Sequence, residues 1–558
     1  MNMDQYRYPS LGETLRDGHK TQIPIDHLNR RKVLLNGVEI EHTNMRDVFL
    51  ARTALGDKPL LICDGETLTY TDADERSNRV ASTLIEYGVG KGDVVATFMY
   101  NSVDHAAVWY ACVKLGAIFA SLNVSLAPNE LVYSLGDTNA KVLIVDNDLI
   151  DVYKEARPNF THQPVEILWR GSNTDGFIPF DNLYEGDNVL PDVEIAPNDP
   201  MSIIYTGGST SMPKGVLAPH LHYIGAAERY KEITQSQPDD VHFANSHFFH
   251  VGGQQFGVMG PLYCGTTGVM TKWFSVSKYW DIARETGATI IDPIGTMISA
   301  LLTRDPSPQD QDHQVRVGIG IASGQVRSAF RNEFEERFGV PLLEVYAMTE
   351  VGVLLCSERI DDKTEDSCGK TYGWADISIV DENDCPVPTG EQGQILLRPN
   401  GANCFMLEYI NKPKETIQAW RNLWYHSGDI GYLDDGGYLH FVGRQAHWVR
   451  VRGENVSAFE VEKVLTSHEA VKDCAIVGVP GDLGEEDIKA YIHLEDGGNL
   501  KPEEVVEWCE GHLAYFKVPR FIEYVTEFPR TITKQEIERH ALRERGRGDA
   551  WDRLAEDN

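Results

Sequence analysis

Residues 201–216 read MSIIYTGGSTSMPKGV, an apolar run followed by glycines, hydroxyl side chains and one lysine. Gly207 and Gly208 let backbone N–H groups approach phosphate oxygens, Ser209, Thr210 and Ser211 add donors, and Lys214 adds charge. That chemistry suits a polyphosphate. It is not that of a Walker A loop, which needs Ser or Thr after Gly-Lys, because here Lys214 is followed by Gly215. Taken alone, the same composition also makes an ordinary surface turn.

The elements that must position this loop are those of a layered α/β protein. Strand-like apolar runs recur at 93–98, 141–145, 201–205 and 288–291, separated by helical stretches such as 72–87, where Val80, Leu84 and Tyr87 share a face. This alternation predicts α/β layers. Beyond residue 443 the pattern becomes compact: a helix near 457–467, strands at 474–479 and 489–494, and a helix near 502–513. A small α+β cap is expected there. No fixed-period repeat is present, which argues against a solenoid or propeller.

The chain has 558 residues, with 84 acidic against 51 basic ones and a formal net charge of −33. Such a surface repels nucleic acid and anionic lipid, so no nucleic-acid partner and no membrane insertion are expected, and an anionic substrate needs a local basic site. Nine cysteines without a CxxC pair suggest neither a zinc site nor a disulfide framework. The first residues lack the regions of a signal peptide. A soluble cytoplasmic protein is expected.

The loop resembles the signature Tyr-Thr-Ser-Gly-Thr-Thr-Gly-x-Pro-Lys-Gly of the adenylate-forming superfamily, which contains acyl-CoA synthetases, peptide-synthetase adenylation domains and luciferases. The resemblance continues in order from LTYTDADERSNRVASTLIEYGVGKGDVVA at 68–96 and GAIFASLN at 116–123 to the C-terminal cap. It implies a large multi-layer domain at 1–443 for AMP and acyl group, a hinge at 444–448 and a small mobile α+β domain at 449–558. It implies also that Thr206, Ser209, Thr210 and Lys214 line the pyrophosphate side of ATP. Two positions depart from the signature: Gly207 replaces a serine and Ser211 a glycine.

Further segments carry roles by the same resemblance. SHFFHVGGQQFG at 246–257 is similar to the aromatic-histidine segment beside the acyl pocket, with His250 as its gate or wall; a satisfied core histidine is the alternative. YAMTE at 346–350 matches Tyr-Gly-x-Thr-Glu, so Tyr346 would stack on adenine, Thr349 contact phosphate and Glu350 bind Mg2+, with Ala347 and Met348 in the same nucleotide-binding set. Ser323 and Gly324, within GIGIASGQ, join that set. Asp429, in WYHSGDIG, would accept both ribose hydroxyls, a task suited to two carboxylate oxygens, and Arg444 would assist. Gly453 matches the glycine that lets the pantetheine thiol pass, which points to coenzyme A as acceptor.

The pattern fails at one place. Members end in Thr-Gly-Lys-Ile/Val-x-Lys/Arg, whose first lysine reaches the α-phosphate and carboxylate during adenylation, whereas residues 529–543 read PRTITKQEIERHALR. Aligned from the right, Glu536 takes the lysine slot; aligned from the left, Gln535 does. Lys534 serves only if the loop is remodelled by one or two residues. The expectation is an acyl-CoA ligase proficient in transferring an acyl group from acyl-AMP to CoA and impaired in adenylation, with a separate adenylating enzyme as partner. Its small molecules would be a carboxylate or acyl-adenylate, CoA, and ATP with Mg2+ if adenylation is retained. The rivals are a complete ATP-dependent ligase using Lys534 and a non-catalytic acyl-adenylate binder. The acyl group is not legible, although the small residues of 246–260 and 318–325 leave room for a bulky acid.

Overall fold

The computed structural model describes residues 34–555 apart from 36–37, 172–175, 207–212, 323–327, 402–403, 445–447, 452–453, 482–485, 496 and 531–536. Two eight-stranded sheets dominate the larger domain. The first orders its strands Glu408–Tyr409, Lys214–Pro219, Pro200–Thr206, Ile118–Ser121, Val94–Phe98, Val142–Asp146, Val165–Trp169 and Ile178–Pro179. The second runs Gly352–Ser357, Leu342–Met348, Val317–Ala322, Ile290–Ile291, Val241–Phe243, Thr267–Met270, Pro59–Cys63 and Glu66–Thr69. Both are parallel at the centre, which requires cover on both faces and explains the uninterrupted apolar runs: every residue of Val94–Phe98 and of Val142–Asp146 is buried.

Helix Val103–Leu115 shows the same logic. All but one of its residues are buried because it packs against strands of both sheets. Ser102 caps its start by accepting from the His105 amide, and Gly116, at φ +68°, takes the left-handed turn that ends it. The helix foreseen at 72–87 spans Tyr70–Glu86, since Thr69 and Asp72 form a reciprocal capping box. The strand foreseen at 288–291 is shorter, Ile290–Ile291, because the Ala288 amide instead closes the turn after helix Tyr279–Thr286 by donating to the Ala283 carbonyl.

A third sheet, Ala375–Val380, Gly393–Pro399, Tyr425–Leu433 and Leu439–Arg444, is antiparallel and leads toward the smaller domain. That domain has its own four-stranded sheet, Val471–Pro480, Glu486–Leu494, Phe521–Tyr524 and Trp551–Asp552, covered by helices Ala458–Thr466, Pro502–Glu510 and Arg539–Glu544. Its apolar clusters, between Val449 and Trp551, are separate from those of the large domain. Among the described residues, contacts across the two include Lys463 Nζ 3.1 Å from Asp366 Oδ2 and Ser457 Oγ donating to the Val442 carbonyl at 3.1 Å. All nine cysteines are free thiols. Among the described residues no helix is long and apolar enough to cross a membrane.

Candidate active site

The phosphate-loop motif is built by two antiparallel strands, Pro200–Thr206 and Lys214–Pro219, whose last paired residues are Thr206 and Lys214. Thr206 Oγ1 donates to the Lys214 carbonyl at 3.3 Å, closing the base of the connection. Ser209 and Thr210, with Gly207, Gly208 and Ser211, lie outside the described residues. Helix Pro128–Thr138 grips both flanks: Tyr133 Oη donates to the Pro213 carbonyl at 3.0 Å, and Tyr205 Oη donates to the Ser134 carbonyl at 3.0 Å and to Asp137 Oδ2 at 3.1 Å. Asn411 in turn donates to Asp137 Oδ1 at 3.0 Å.

The Lys214 ammonium sits 4.5 Å from the centre of the Tyr409 ring, and the Tyr409 hydroxyl donates to Glu350 Oε1 at 2.7 Å. Lysine, aromatic face and buried carboxylate thus form one continuous contact between the phosphate loop and the end of YAMTE. The Tyr425 hydroxyl lies 3.2 Å from that of Tyr409. Glu350 is fixed further by its carbonyl, which accepts from the Met406 amide at 2.7 Å.

YAMTE itself is the end of strand Leu342–Met348 and the turn that follows, not the start of a helix. Tyr346 is buried, and its hydroxyl donates to Asp429 Oδ2 at 2.7 Å. Ala347 is exposed, while Met348 and Thr349 are half-buried. Asp429 lies opposite Arg444 in the register of strands Tyr425–Leu433 and Leu439–Arg444, and Arg444 Nε approaches Asp429 Oδ1 to 3.5 Å. Burial raises the Asp429 carboxyl to about 6, opposed by the Arg444 guanidinium and the Tyr346 hydrogen bond. Incoming hydroxyl donors would stabilise its ionised form.

His250 is half-buried, with its ring 4.5 Å from that of Phe249. The neighbouring His247 stacks on Phe249, with ring centres 5.0 Å apart and planes nearly parallel at 9°, and burial lowers it to about 4, so it is neutral at pH 7. Gly253 opens a π-helical stretch, Gly253–Met259, and a Cβ there would overlap the His247 carbonyl. Asn101 ties this segment to the first sheet, accepting from the Phe248 amide at 3.0 Å and donating to the Ser246 carbonyl at 3.2 Å. Ser323, Gly324 and Gly453 lie outside the described residues.

The structure therefore joins Thr206 to Lys214, Lys214 to Glu350 through Tyr409, and Tyr346 to Asp429 and Arg444. Sequence reasoning missed Tyr409, Tyr133 and Asp137. None stands in a motif, and only Tyr133 and Asp137, four apart on one helix, carried a signal that they face together.

Two family models match the chain: AMP-binding enzyme over residues 50–409 and AMP-binding enzyme C-terminal domain over residues 460–535. Crotonobetaine/carnitine–CoA ligases from Salmonella agona and Salmonella typhimurium are each 30% identical over 499 residues, covering 87% of this chain and 96% of theirs. A solved anthranilate CoA ligase in complex with anthranoyl-AMP superposes with a TM-score of 0.81 at 26% identity, covering 90% of this chain and 96% of its own. A benzoate CoA ligase from Burkholderia xenovorans LB400 shares the fold, with a TM-score of 0.79 at 24% identity over 90% of this chain and 99% of its own.

Proposed function

We propose, from the premise that this chain belongs to the AMP-binding enzyme family, that it is an acyl-CoA ligase working through an acyl-adenylate. The observation that carries the reading is the pair of linked clusters: Tyr346, Asp429 and Arg444 suit a ribose, and Lys214, Tyr409 and Glu350 suit phosphates. The relatives whose names specify CoA ligation support the acceptor.

In the first half-reaction a carboxylate oxygen attacks the α-phosphorus of ATP and pyrophosphate leaves. In the second, the CoA sulfur attacks the acyl carbonyl, the thiol gives up its proton and AMP leaves. Mg2+ commonly binds through one or two carboxylates and substrate phosphates, and Glu350 supplies one such carboxylate, with Oε1 held by Tyr409. When bound there it would neutralise phosphate charge.

Within this activity the second half-reaction is the stronger. Arg530 and Ile537 pair as an antiparallel bridge, and the Glu538 amide donates to the Pro529 carbonyl at 2.8 Å, so both flanks of 531–536 are anchored. Arg530 is paired with Asp473, and Arg539 donates to both oxygens of Glu462 at 2.8 and 2.9 Å. We take the alignment that counts back from Ile537, which assigns Glu536 to the lysine slot; the one that counts forward from Arg530 assigns Gln535, and neither supplies a lysine. A unit charge about 4 Å from a developing anion is worth roughly 4 kcal/mol at an effective dielectric near 20. Exchanging a cation for a carboxylate there disfavours adenylation and leaves thioester formation intact, because in the family it resembles that step proceeds with the C-terminal lysine withdrawn. A separate adenylating enzyme then supplies the acyl-AMP. The test is a comparison of the two half-reactions in purified protein: thioester from acyl-AMP and CoA with little ATP–pyrophosphate exchange is expected.

A further inference from the structure

Ligands of open α/β sheets bind outside the carboxyl ends of the parallel strands. At that edge of the second sheet, just past Val241–Phe243 and Ile290–Ile291, stand Asn245 and Asp292. Both are buried, 6% and 2% exposed. Asp292 Oδ1 accepts from the Asn245 amide at 2.9 Å and from Asn245 Nδ2 at 3.3 Å, and Nδ2 also reaches the Tyr279 hydroxyl at 3.4 Å. These contacts turn the amide nitrogen toward Asp292 and Tyr279. Asp292 Oδ2 and Asn245 Oδ1 are left as buried acceptors with no hydrogen-bond partner. Leaving a buried polar group unpaired is unfavourable. Oδ1 alone ties the two strand ends together, and the remaining oxygens take no part in that link.

Their position points to a role. Asn245 leads directly into the Ser246–His250 segment read as the wall of the acyl pocket. Asp292 packs beside Gly320, whose added Cβ would come 3.7 Å from the Asp292 carbonyl oxygen, in the strand that runs on toward Ser323 and Gly324. Asn245 and Asp292 thus stand at the strand ends that adjoin the segment assigned to the acyl group. Resting on the acyl-CoA ligase reading, we propose that Asp292 and Asn245 determine substrate specificity, and that the acid coupled carries an amino group received by Asp292 Oδ2 and Asn245 Oδ1. A hydroxyl offers one donor and an ammonium three, so a nitrogen can serve both orphan oxygens. Burial also raises the Asp292 carboxyl to about 8, and an arriving ammonium would provide the counter-charge that lets it ionise.

The experiment uses pairs of acyl-AMPs that differ only in an amino or a methyl substituent, offered with CoA to the full chain. Matched acyl-sulfamoyl adenosines read affinity without turnover. The wild type should favour the amino member by about 10²-fold in kcat/KM, and Asp292→Asn should cut that preference about tenfold or more while the methyl member keeps its rate within about threefold. Equal handling of the two members by the wild type, or a parallel fall of both in Asp292→Asn, overturns the proposal. If the variant does not fold, the wild-type comparison still decides. Failure of the ligase reading itself would look different: no thioester from any acyl-AMP, whatever the sulfamoyl adenosines show.

Discussion

The hydroxyl of Tyr346 donates to Asp429 Oδ2 across 2.7 Å, joining the end of a strand in the second sheet to the middle of a strand in the third. Arg444 reaches the other oxygen of the same carboxylate, at 3.5 Å. The Asp429 carboxylate is thereby held in place by groups from two sheets.

Removing its charge should be costly. Asp429→Asn is expected to weaken AMP binding by about 10²-fold, the loss of a charge-assisted hydrogen bond plus a poorer acceptor. Calorimetric titration with AMP measures this, and an affinity unchanged by the substitution would remove Asp429 from the site.

A proton-linkage effect follows from the raised Asp429 carboxyl, about 6 in the free protein against 3.8 ordinarily. The groups facing it are Arg444, the Tyr346 hydroxyl and the Glu350 carboxylate. A raised folded value means that the folded protein binds the proton more tightly than the unfolded chain, so this group's contribution to stability is full below about pH 4 and declines as pH rises through 6. Ribose hydroxyls favour the ionised form. AMP affinity should therefore fall as pH drops below 6, and binding at pH 6 should release a fraction of a proton, read from titrations in buffers of different ionisation enthalpy.

Tyr133 and the phosphate loop provide a third test. Tyr133→Phe deletes the hydrogen bond to the Pro213 carbonyl and keeps the ring. ATP affinity should drop about fivefold, near 1 kcal/mol, with AMP affinity unchanged, because only ATP uses the pyrophosphate side. Parallel losses for both nucleotides would mean that Tyr133 merely supports the fold.

Gly253→Ala addresses the acyl segment. A methyl there overlaps the His247 carbonyl, so the π-helical turn Gly253–Met259 must shift. Destabilisation of about 2 kcal/mol or more is expected in denaturant unfolding. Wild-type stability would show that the turn repacks freely.

Much of this arrangement was readable from the chain because local pattern dictates it. Val94–Phe98 and Val142–Asp146 are buried throughout and apolar but for Thr97 and Asp146, since parallel strands are covered on both faces, and Thr69 with Asp72 announces a helix start. Thr206, Lys214, Tyr346, Glu350 and Asp429 stand in ordered motifs. The partners that complete them do not. Tyr409 meets Glu350 from 59 residues away and Tyr133 meets Pro213 from 80, contacts that only sheet order creates. Asp292 had a weak local sign, a carboxylate ending the apolar run ATII, but its orphan oxygen is visible only once Asn245 is placed beside it.

The most direct test of the central claim is the ratio of the two half-reactions in one preparation, with Glu536→Lys alongside. Thioester formation from acyl-AMP at ordinary ligase rates is expected, with ATP–pyrophosphate exchange about 10²- to 10³-fold below it and raised by Glu536→Lys. Rapid exchange in the wild type, unaffected by Glu536→Lys and abolished by Lys534→Ala, would contradict the account and make the protein a complete ATP-dependent ligase.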